Sequence, residues 1–383
     1  MLRAALRDHL RGGLDRVYTA AVIQVRVGGD IVYERALGHP NPEASNARTR
    51  QDTRFDLASL TKIFTTTAFL SLVEQGRVGL DTPVRAVLPS FSGSRPIRPY
   101  EDPLQPGNFI TLSSSEEPVD ASQVTFRQLL THTSGLPAWR PLFRMPPEER
   151  RAAVLGTFFS YPPGSHILYS DLGFILLGWA LEALTGTSLA DVIAQQVTQP
   201  LNLPSVAFRP VGRSPFDPNI AATEFCTWRG RRIWGEVHDE NAFALGGVSG
   251  HAGLFGNARD LGLFGQAWLD SVQGRKAAFI SPSLAQEAVK AQATEGSTRR
   301  GLGWALRSPD PNGYTFPLSP GAFGHTGFTG TSLFIDPDRE LVVVALTNRV
   351  YFGRDAEPIL RWRRVLHDIL TREVPAKQSK GKE

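Results

Sequence analysis

The chain has a single cysteine, Cys226, in 383 residues. One thiol cannot form an intrachain disulfide, and it cannot supply a cluster of thiolate ligands to a metal. Because disulfides are typical of oxidising compartments, this composition favours a reducing one. Residues 1–18 carry charges throughout and lack the apolar core of a secretory signal. We therefore expect a cytoplasmic protein.

The sequence also lacks long apolar runs and a strong excess of one charge. No segment approaches the ~20 uninterrupted apolar residues that a membrane-spanning helix requires. The formal net charge is only +4, from 41 Lys and Arg against 37 Asp and Glu. The basic residues cluster only within residues 376–383, which we interpret as a disordered tail. We expect neither nucleic acid nor a membrane as a partner.

What the sequence does contain is strand patterns near both ends. Residues 20–27 and 31–34 flank Gly28-Gly29-Asp30 and predict a β-hairpin, and residues 331–335 and 341–346 predict two further strands. Pairing these strands predicts an α+β fold, in which an antiparallel sheet from both termini is flanked by helices, with a mostly helical inserted region.

This pattern also predicts the domain organisation. Residues 1–80 and 245–375 would form the discontinuous sheet region, and residues 81–244 would form the helical and loop insertion. Residues 89–123 are rich in Ser, Pro, Gly and Asp and predict a surface excursion. We expect one catalytic domain overall.

Residues 55–74 predict one helix that ends near Gly76 and carries Ser59 and Lys62 near its start. Residues three apart share a helical face. A serine hydroxyl becomes a nucleophile when a neighbouring base takes its proton, and a lysine with a lowered pKa can do so. Ser-x-x-Lys also occurs by chance, so this pair needs support from elsewhere.

Two further motifs supply that support. Residues 168–173 place Tyr169 at the start of an apolar helix, where a tyrosine beside an amine can pass a proton between nucleophile and leaving group. Residues 325–330 begin with His325-Thr326-Gly327 and precede a predicted strand. Small residues on an edge strand let a substrate backbone approach and can donate an N–H.

In this order the motifs resemble those of the serine β-lactamase and penicillin-binding-protein-like family. More narrowly, the chain resembles its class C-like branch, with family VIII carboxylesterases, D-amino-acid peptidases and muropeptide amidases. Residues 129–136, 301–304 and 335–337 extend the resemblance along nearly the whole chain.

The resemblance implies a role for each matching residue. Ser59 would be the acylated nucleophile, and Tyr169 would be the general base and acid. Lys62 would either accept the proton of Ser59 or act as a positive charge beside it. The backbone N–H groups of Ser59 and Phe328 would form the oxyanion hole. No metal and no organic cofactor are implied. The predicted substrate-binding residues are Asp171, His325, Thr326, Gly327, His251 and Trp304.

Two positions depart from the family pattern. His325 stands where β-lactam-binding members carry lysine, so a fixed cation for a substrate carboxylate is lost or made pH-dependent. Asp171 stands where the tyrosine motif often ends in asparagine. If Asp171 points inward, it favours the ammonium form of Lys62 and makes Tyr169 the better base. If it points outward, it is only an acid at a helix start.

Residues 235–255 contain acids and histidines that could be imagined as metal ligands. Their spacing matches no helical zinc motif, and a glycine-rich structural loop with substrate contact by Asp239 or His251 is an alternative interpretation. The residues concerned are His238, Asp239, Glu240 and His251.

The sequence therefore predicts a metal-independent serine hydrolase that cleaves an ester or amide through an acyl-Ser59 intermediate. Its substrate would be a small-molecule ester, amide or muropeptide. β-Lactamase or D-Ala-D-Ala carboxypeptidase activity is an alternative, and a non-catalytic ligand sensor on the same fold is an alternative of another class. The sequence does not specify an oligomeric state.

Overall fold

The computed structural model describes residues 2–115, 117–275 and 279–376. Its α-helices are α1 Leu2–Gly13, α2 Thr61–Glu74, α3 Phe126–Leu130, α4 Pro147–Leu155, α5 Asp171–Thr185, α6 Leu189–Ile193, α7 Glu240–Ala244, α8 Ala258–Val272, α9 Pro282–Val289 and α10 Glu357–Glu373. A short 3₁₀ helix, Ala58–Leu60, precedes α2, and a π-helical turn, Ala194–Thr198, extends α6.

The strands are short except in the main sheet. In chain order they are β1 Ala20–Val27, β2 Asp30–Gly38, β3 Phe55–Asp56, β4 Ser94–Arg95, β5 Tyr100–Glu101, β6 Phe109–Ile110, β7 Val119–Asp120, β8 Ala207–Phe208, β9 Phe225–Cys226, β10 Arg231–Arg232, β11 Leu254–Gly256, β12 Ala293–Glu295, β13 Thr298–Arg300, β14 Ala305–Leu306, β15 Phe323–Thr326, β16 Ser332–Asp336 and β17 Leu341–Thr347.

The main sheet has eight antiparallel strands in the order β12-β13-β14-β15-β16-β17-β1-β2. Strand β1 pairs with β17 from Ala21↔Thr347 to Val27↔Leu341, which joins the two ends of the chain. The predicted hairpin is present, and Gly28 and Gly29 take positive φ angles of 61° and 96° in its turn. The predicted α+β fold is confirmed.

Both faces of this sheet are covered. Successive side chains of a strand point to opposite faces, so Ile23 and Val343 pack with α1 and α10, where Leu6 and Trp362 are buried. Val22 and Val344 face the larger core, which contains Phe264 of α8. This larger core continues into the buried helices α2 and α5, so the sheet and the helical region share one apolar interior.

Helix α5 begins at the N-cap Ser170 and ends at Gly186, whose left-handed φ of 74° closes the last turn. No single helix in residues 2–115, 117–275 and 279–376 meets the length and hydropathy criteria for crossing a membrane. The pair formed by α5 and Leu189–Thr198 meets them jointly but is bent by 83°.

The structure differs from the predictions in two places. Residues 55–74 are not one helix, because Phe55–Asp56 is a strand paired with β11 and the 3₁₀ turn intervenes before α2. The excursion at 89–123 contains two short antiparallel pairs, β4 with β7 and β5 with β6.

Of the predicted tail, residues 377–383 lie outside the described residues. The division into 1–80 with 245–375 and 81–244 stays a prediction.

Candidate active site

Ser59 lies in the 3₁₀ turn between β3 and α2 and is half-buried. The residue before it, Ala58, has a φ of 45°, a conformation that costs a non-glycine residue about 1–3 kcal/mol unless its surroundings hold it. Those surroundings are present, because the Ala58 N–H donates to Asp56 Oδ1 at 2.8 Å. The turn that carries the candidate nucleophile is therefore held by the buried carboxylate of Asp56.

Lys62 is fully buried and its ammonium group is surrounded by acceptors. Lys62 Nζ donates to Ser59 Oγ and to the backbone oxygen of His251, each at 3.0 Å. It also lies 2.7 Å from Asp171 Oδ1. Asp171 therefore points inward, which decides between the two orientations that the sequence left open.

The charges around Lys62 determine its protonation state. Burial alone lowers the pKa of Lys62, but the charges of Asp171 and Tyr169 raise it above the ordinary value. Lys62 is therefore an ammonium ion at neutral pH and does not act as a free amine base in this arrangement.

Tyr169 is in contact with this ammonium group. Lys62 Nζ lies 4.8 Å from the centroid of the Tyr169 ring, and the tyrosine hydroxyl is covered. Burial raises the pKa of Tyr169, the charge of Lys62 opposes that shift, and Asp171 adds to it. The phenolate is thus a minor form whose fraction grows with pH.

The third motif precedes strand β16, as the sequence predicted, and its first two residues, His325 and Thr326, end strand β15. This strand is inside the sheet, yet β14 pairs only with Phe323 and Gly324. His325 and Thr326 pair with β16 on one side and have no strand partner on the other among the described residues. An extended substrate segment can reach Thr326 from that open side.

The turn after β15 is anchored to the backbone next to Ser59. The Thr329 hydroxyl donates to Asp56 O at 2.7 Å, and the Thr331 hydroxyl donates to Leu57 O at 3.1 Å. The Phe328 N–H makes no hydrogen bond to another described residue. Phe328 also packs under Arg349, 4.5 Å from its ring centroid. The two N–H groups predicted for the oxyanion hole therefore lie on segments that are bonded to each other.

His325 supplies no cation. Its Nδ1 contacts Thr326 O at 2.8 Å, and burial, Arg300 and Lys62 lower its pKa to about 3. One cation near this motif, which the sequence did not single out, is Arg300. The Arg300 guanidinium lies 5.3 Å from the centroid of the Tyr169 ring. The only signal in the sequence is that Arg300 directly precedes residues 301–304, one of the segments that carry the resemblance.

No acidic side chain in the described part of the chain forms an ion pair with Arg300, and its side chain donates no hydrogen bond there. An arginine beside a cleft that lacks a protein carboxylate is a candidate receptor for an anion.

His251 contributes through its backbone. Gly250 lies so close to α5 that a Cβ there would approach Phe174 O at 2.1 Å, and this close approach brings the His251 carbonyl to Lys62. The His251 ring is 1% exposed and contacts Ser249 Oγ and Asp239 Oδ1 at 2.8 and 3.0 Å. Its side chain is therefore shielded from direct substrate contact.

The four residues considered as metal ligands, His238, Asp239, Glu240 and His251, do not form one cluster. His238 approaches Glu224 at 3.8 Å, and Glu240 pairs with Arg354. Asp171, Asp239 and His251 do place ligand-type atoms within 4.8 Å of one another. However, Asp171 is bonded to Lys62, and Asp239 to His251, whose charge holds the pKa of Asp239 below its ordinary value although burial opposes this.

The prediction that Trp304 contacts substrate is wrong for this structure. Trp304 is 0% exposed and packs edge-on against Trp268 and Phe323, at centroid distances of 4.9 and 5.1 Å. Its large apolar surface is buried in the core, as expected for an indole in a glycine-rich segment between two strands.

The chain is similar to known proteins over most of its length. The sequence model of the family described as Beta-lactamase matches residues 6–367. A putative D-alanyl-D-alanine carboxypeptidase of Salmonella heidelberg (strain SL476) is 29% identical over 371 residues, covering 89% of this chain and 81% of the relative.

Two solved structures share the fold. The first is EstCE1, described as a hydrolase with promiscuous acyltransferase activity, with a TM-score of 0.73, 22% identity, and coverage of 96% of this chain and 98% of that one. The second is the octameric penicillin-binding protein homologue from Pyrococcus abyssi, with a TM-score of 0.68, 21% identity, and coverage of 97% and 79%.

Proposed function

The chain belongs to the Beta-lactamase family, and from that premise we propose that it is a metal-independent serine hydrolase that cleaves an ester or amide through an acyl-Ser59 intermediate. One observation carries the proposal. Lys62 Nζ contacts Ser59 Oγ at 3.0 Å and Asp171 at 2.7 Å, with the Tyr169 ring beside it. A nucleophile, a fixed cation and a second titratable group are thus in contact.

The roles follow from the charges. Asp171 keeps Lys62 protonated, and the ammonium group favours the Tyr169 phenolate, which accepts the Ser59 proton as Ser59 Oγ attacks the carbonyl carbon. The N–H groups of Ser59 and Phe328 stabilise the resulting oxyanion. The oxyanion collapses as Tyr169 returns its proton to the leaving group, which gives the acyl-enzyme. Water then attacks the acyl carbon as Tyr169 accepts its proton. The second oxyanion collapses as Tyr169 returns this proton to Ser59 Oγ, which releases the acid product and restores the serine.

We propose a small-molecule substrate, either an ester, an amide or a muropeptide, and no nucleic acid or membrane partner. The open side of β15 next to Thr326 is where an extended substrate would lie. The Cβ position of Gly327, also predicted to contact substrate, faces Leu57 and Thr331 instead. The cytoplasmic location stays a prediction from composition.

The first experiment compares hydrolysis of a short-chain p-nitrophenyl ester and of N-acetylmuramoyl-L-alanine by the wild type and by Ser59→Ala. We expect Ser59→Ala to abolish turnover, because the acyl group then has no oxygen to join. Ser92→Ala, at an exposed serine, is the matched control and should keep the wild-type rate. Undiminished turnover by Ser59→Ala would refute the mechanism.

The same assay distinguishes a hydrolase from a non-catalytic ligand sensor. A sensor would release one equivalent of product for each protein molecule and then stop, whereas a hydrolase continues to turn over. Selective release of L-alanine would indicate an amidase, and ester cleavage alone would indicate a carboxylesterase.

A second candidate function is removal of a carboxylate-bearing residue, as the name of the Salmonella relative suggests for that protein. Arg300 supports this candidate, because it places a guanidinium without an acidic partner beside Tyr169 and so restores a cation near the third motif.

The test of this candidate is Arg300→Gln, assayed on a peptide ending in D-Ala-D-Ala and on a neutral ester. A charged hydrogen bond is worth enough to raise KM for the peptide by about 10–10²-fold when it is lost, while KM for the ester should change much less. Arg299→Gln is the control, since adjacent residues of β13 point to opposite faces of the sheet. An equal effect on both substrates would remove Arg300 from carboxylate recognition.

A further inference from the structure

We propose that His132 is a positioning residue that holds Tyr169 in place for proton transfer, an inference that rests on the proposed function. From the sequence, His132 is predicted to be a structural histidine in a turn that ends a helix. It lies in the turn after α3 and belongs to none of the three motifs, yet the structure brings it behind Tyr169.

Both chain neighbours of Tyr169 are bonded to this one residue. The Leu168 N–H donates to His132 O at 2.9 Å, and the Ser170 N–H donates to His132 Nδ1 at 3.0 Å. The backbone immediately before and after Tyr169 is thus fixed by one histidine, through its carbonyl and through its ring.

The imidazole also packs against the phenol. The His132 and Tyr169 ring centroids are 4.5 Å apart with an interplanar angle of 37°. Lys62 Nζ lies 4.8 Å from the centroid of the same phenol ring. His132 therefore limits how far Tyr169 can move from the ammonium group that favours its phenolate.

His132 is kept in the form that this role requires. An imidazole nitrogen that accepts an N–H must be unprotonated, so the ring proton sits on Nε2. Burial, followed by the charges of Arg300 and Lys62, lowers the pKa of His132 well below its ordinary value. The ring therefore remains a neutral acceptor at neutral pH.

The backbone at His132 is fixed as well as the ring. His132 has a φ of 60°, in the left-handed region that histidine adopts more readily than most residues other than glycine. Its carbonyl accepts the Tyr161 hydroxyl at 3.1 Å in addition to the Leu168 N–H, which holds this conformation. The carbonyl and the ring are therefore both held at the positions from which they contact the neighbours of Tyr169.

The test uses two variants that separate the ring from the acceptor. His132→Asn keeps an acceptor, since Oδ1 and Nδ1 are equally distant from Cβ, and it tolerates the positive φ. His132→Phe keeps a ring but leaves the Ser170 N–H without its acceptor. Titration of the Tyr169 phenol is read as the difference in ultraviolet absorbance between each protein and the same protein carrying Tyr169→Phe.

We expect His132→Phe to shift the phenol titration to higher pH, because a displaced Tyr169 loses attraction to Lys62. Its kcat should fall by about 10²-fold, with KM nearly unchanged, as for a misplacement of about 1 Å. His132→Asn should recover the wild-type titration and most of kcat. If His132→Phe does not fold, His132→Gly, which suits the positive φ and lacks an acceptor, should show the same shift.

A wild-type phenol titration in the variants that lack the acceptor would overturn the inference. So would equal losses of kcat in the Asn and Phe variants with the pH profile unchanged, because this would indicate a structural role alone. The titration needs no turnover, so it decides the role of His132 even if Ser59→Ala shows that the proposed reaction is wrong.

Discussion

Aspartate and asparagine have nearly the same size, but only aspartate places a charge beside Lys62. Asp171 Oδ1 lies 2.7 Å from the buried ammonium group, and its charge raises the pKa of both Lys62 and Tyr169. In the proposed mechanism, this residue therefore assigns the role of base to Tyr169, because a protonated Lys62 cannot accept a proton.

Asp171→Asn should shift the pH profile of kcat/KM to lower pH. Removing the carboxylate charge lowers the pKa of Tyr169 and of Lys62, so the unprotonated base becomes abundant at lower pH and the rising part of the profile moves with it. The measurement is kcat/KM for the ester against pH. Asp191→Asn, at an exposed acid in the first turn of α6, is the control. A profile unchanged from wild type would mean that Asp171 does not tune the base.

At the scale of elements, the turn that follows β15 and the segment before α2 behave as one unit. Thr329 and Thr331 donate to the backbone oxygens of Asp56 and Leu57, and these bonds join residues more than 270 positions apart. A Cβ at Gly327 would lie 2.4 Å from Leu57 O and 2.1 Å from Thr331 Oγ1. Glycine is therefore required for the two segments to meet.

Gly327→Ala should reduce kcat by up to about 10²-fold, since displacement of the Phe328 N–H weakens an oxyanion donor. KM should change less. The matched control is Gly321→Ala, where no atom lies within 4 Å of an added Cβ. Wild-type kcat in Gly327→Ala would show that the turn accommodates the methyl group and that the contact does not set the oxyanion geometry.

At the scale of the whole molecule, the interior holds several histidines in the neutral form. Burial, partly opposed by the contact with Tyr314 O, lowers the pKa of His367 to about 4 from 6.5, and burial with nearby cations lowers that of His325 to about 3. As the pH falls, these histidines are protonated in the unfolded chain at a higher pH than in the folded protein. Stability is therefore fully present above pH about 6.5 and is lost as the pH falls from there through the folded-state pKa values.

His367→Asn should flatten this dependence. The amide of asparagine can donate to Tyr314 O in place of Nδ1, 2.7 Å away in the wild type, without a titrating group. The loss of unfolding free energy between pH about 6.5 and about 4 should shrink by about 3 kcal/mol at most. Urea unfolding over this pH range measures it, with His39→Asn at a half-exposed histidine as the control. If the unfolding free energy fell equally with decreasing pH in His367→Asn and in His39→Asn, this pH dependence would not be due to His367.

The sequence alone was sufficient to predict the main elements at the two ends of the chain and to find the three motifs. The hairpin around Gly28-Gly29, the apolar helix α5, and the strands β16 and β17 could be predicted because their signals are local in the chain. The α+β fold and the family resemblance were predicted from these signals and are confirmed. The assignment of Ser59, Lys62 and Tyr169 to catalysis was also made there and stays a prediction.

Only the tertiary structure decided which groups face one another. It turned Asp171 toward Lys62, placed Arg300 beside Tyr169, buried Trp304, and brought the carbonyl of His251 to an ammonium group 189 residues away. No local pattern encodes such contacts, because the direction of a side chain and the charge that it meets depend on packing between distant segments. The same reason limited the prediction for His132 to a structural role, because only the fold brings its ring against Tyr169.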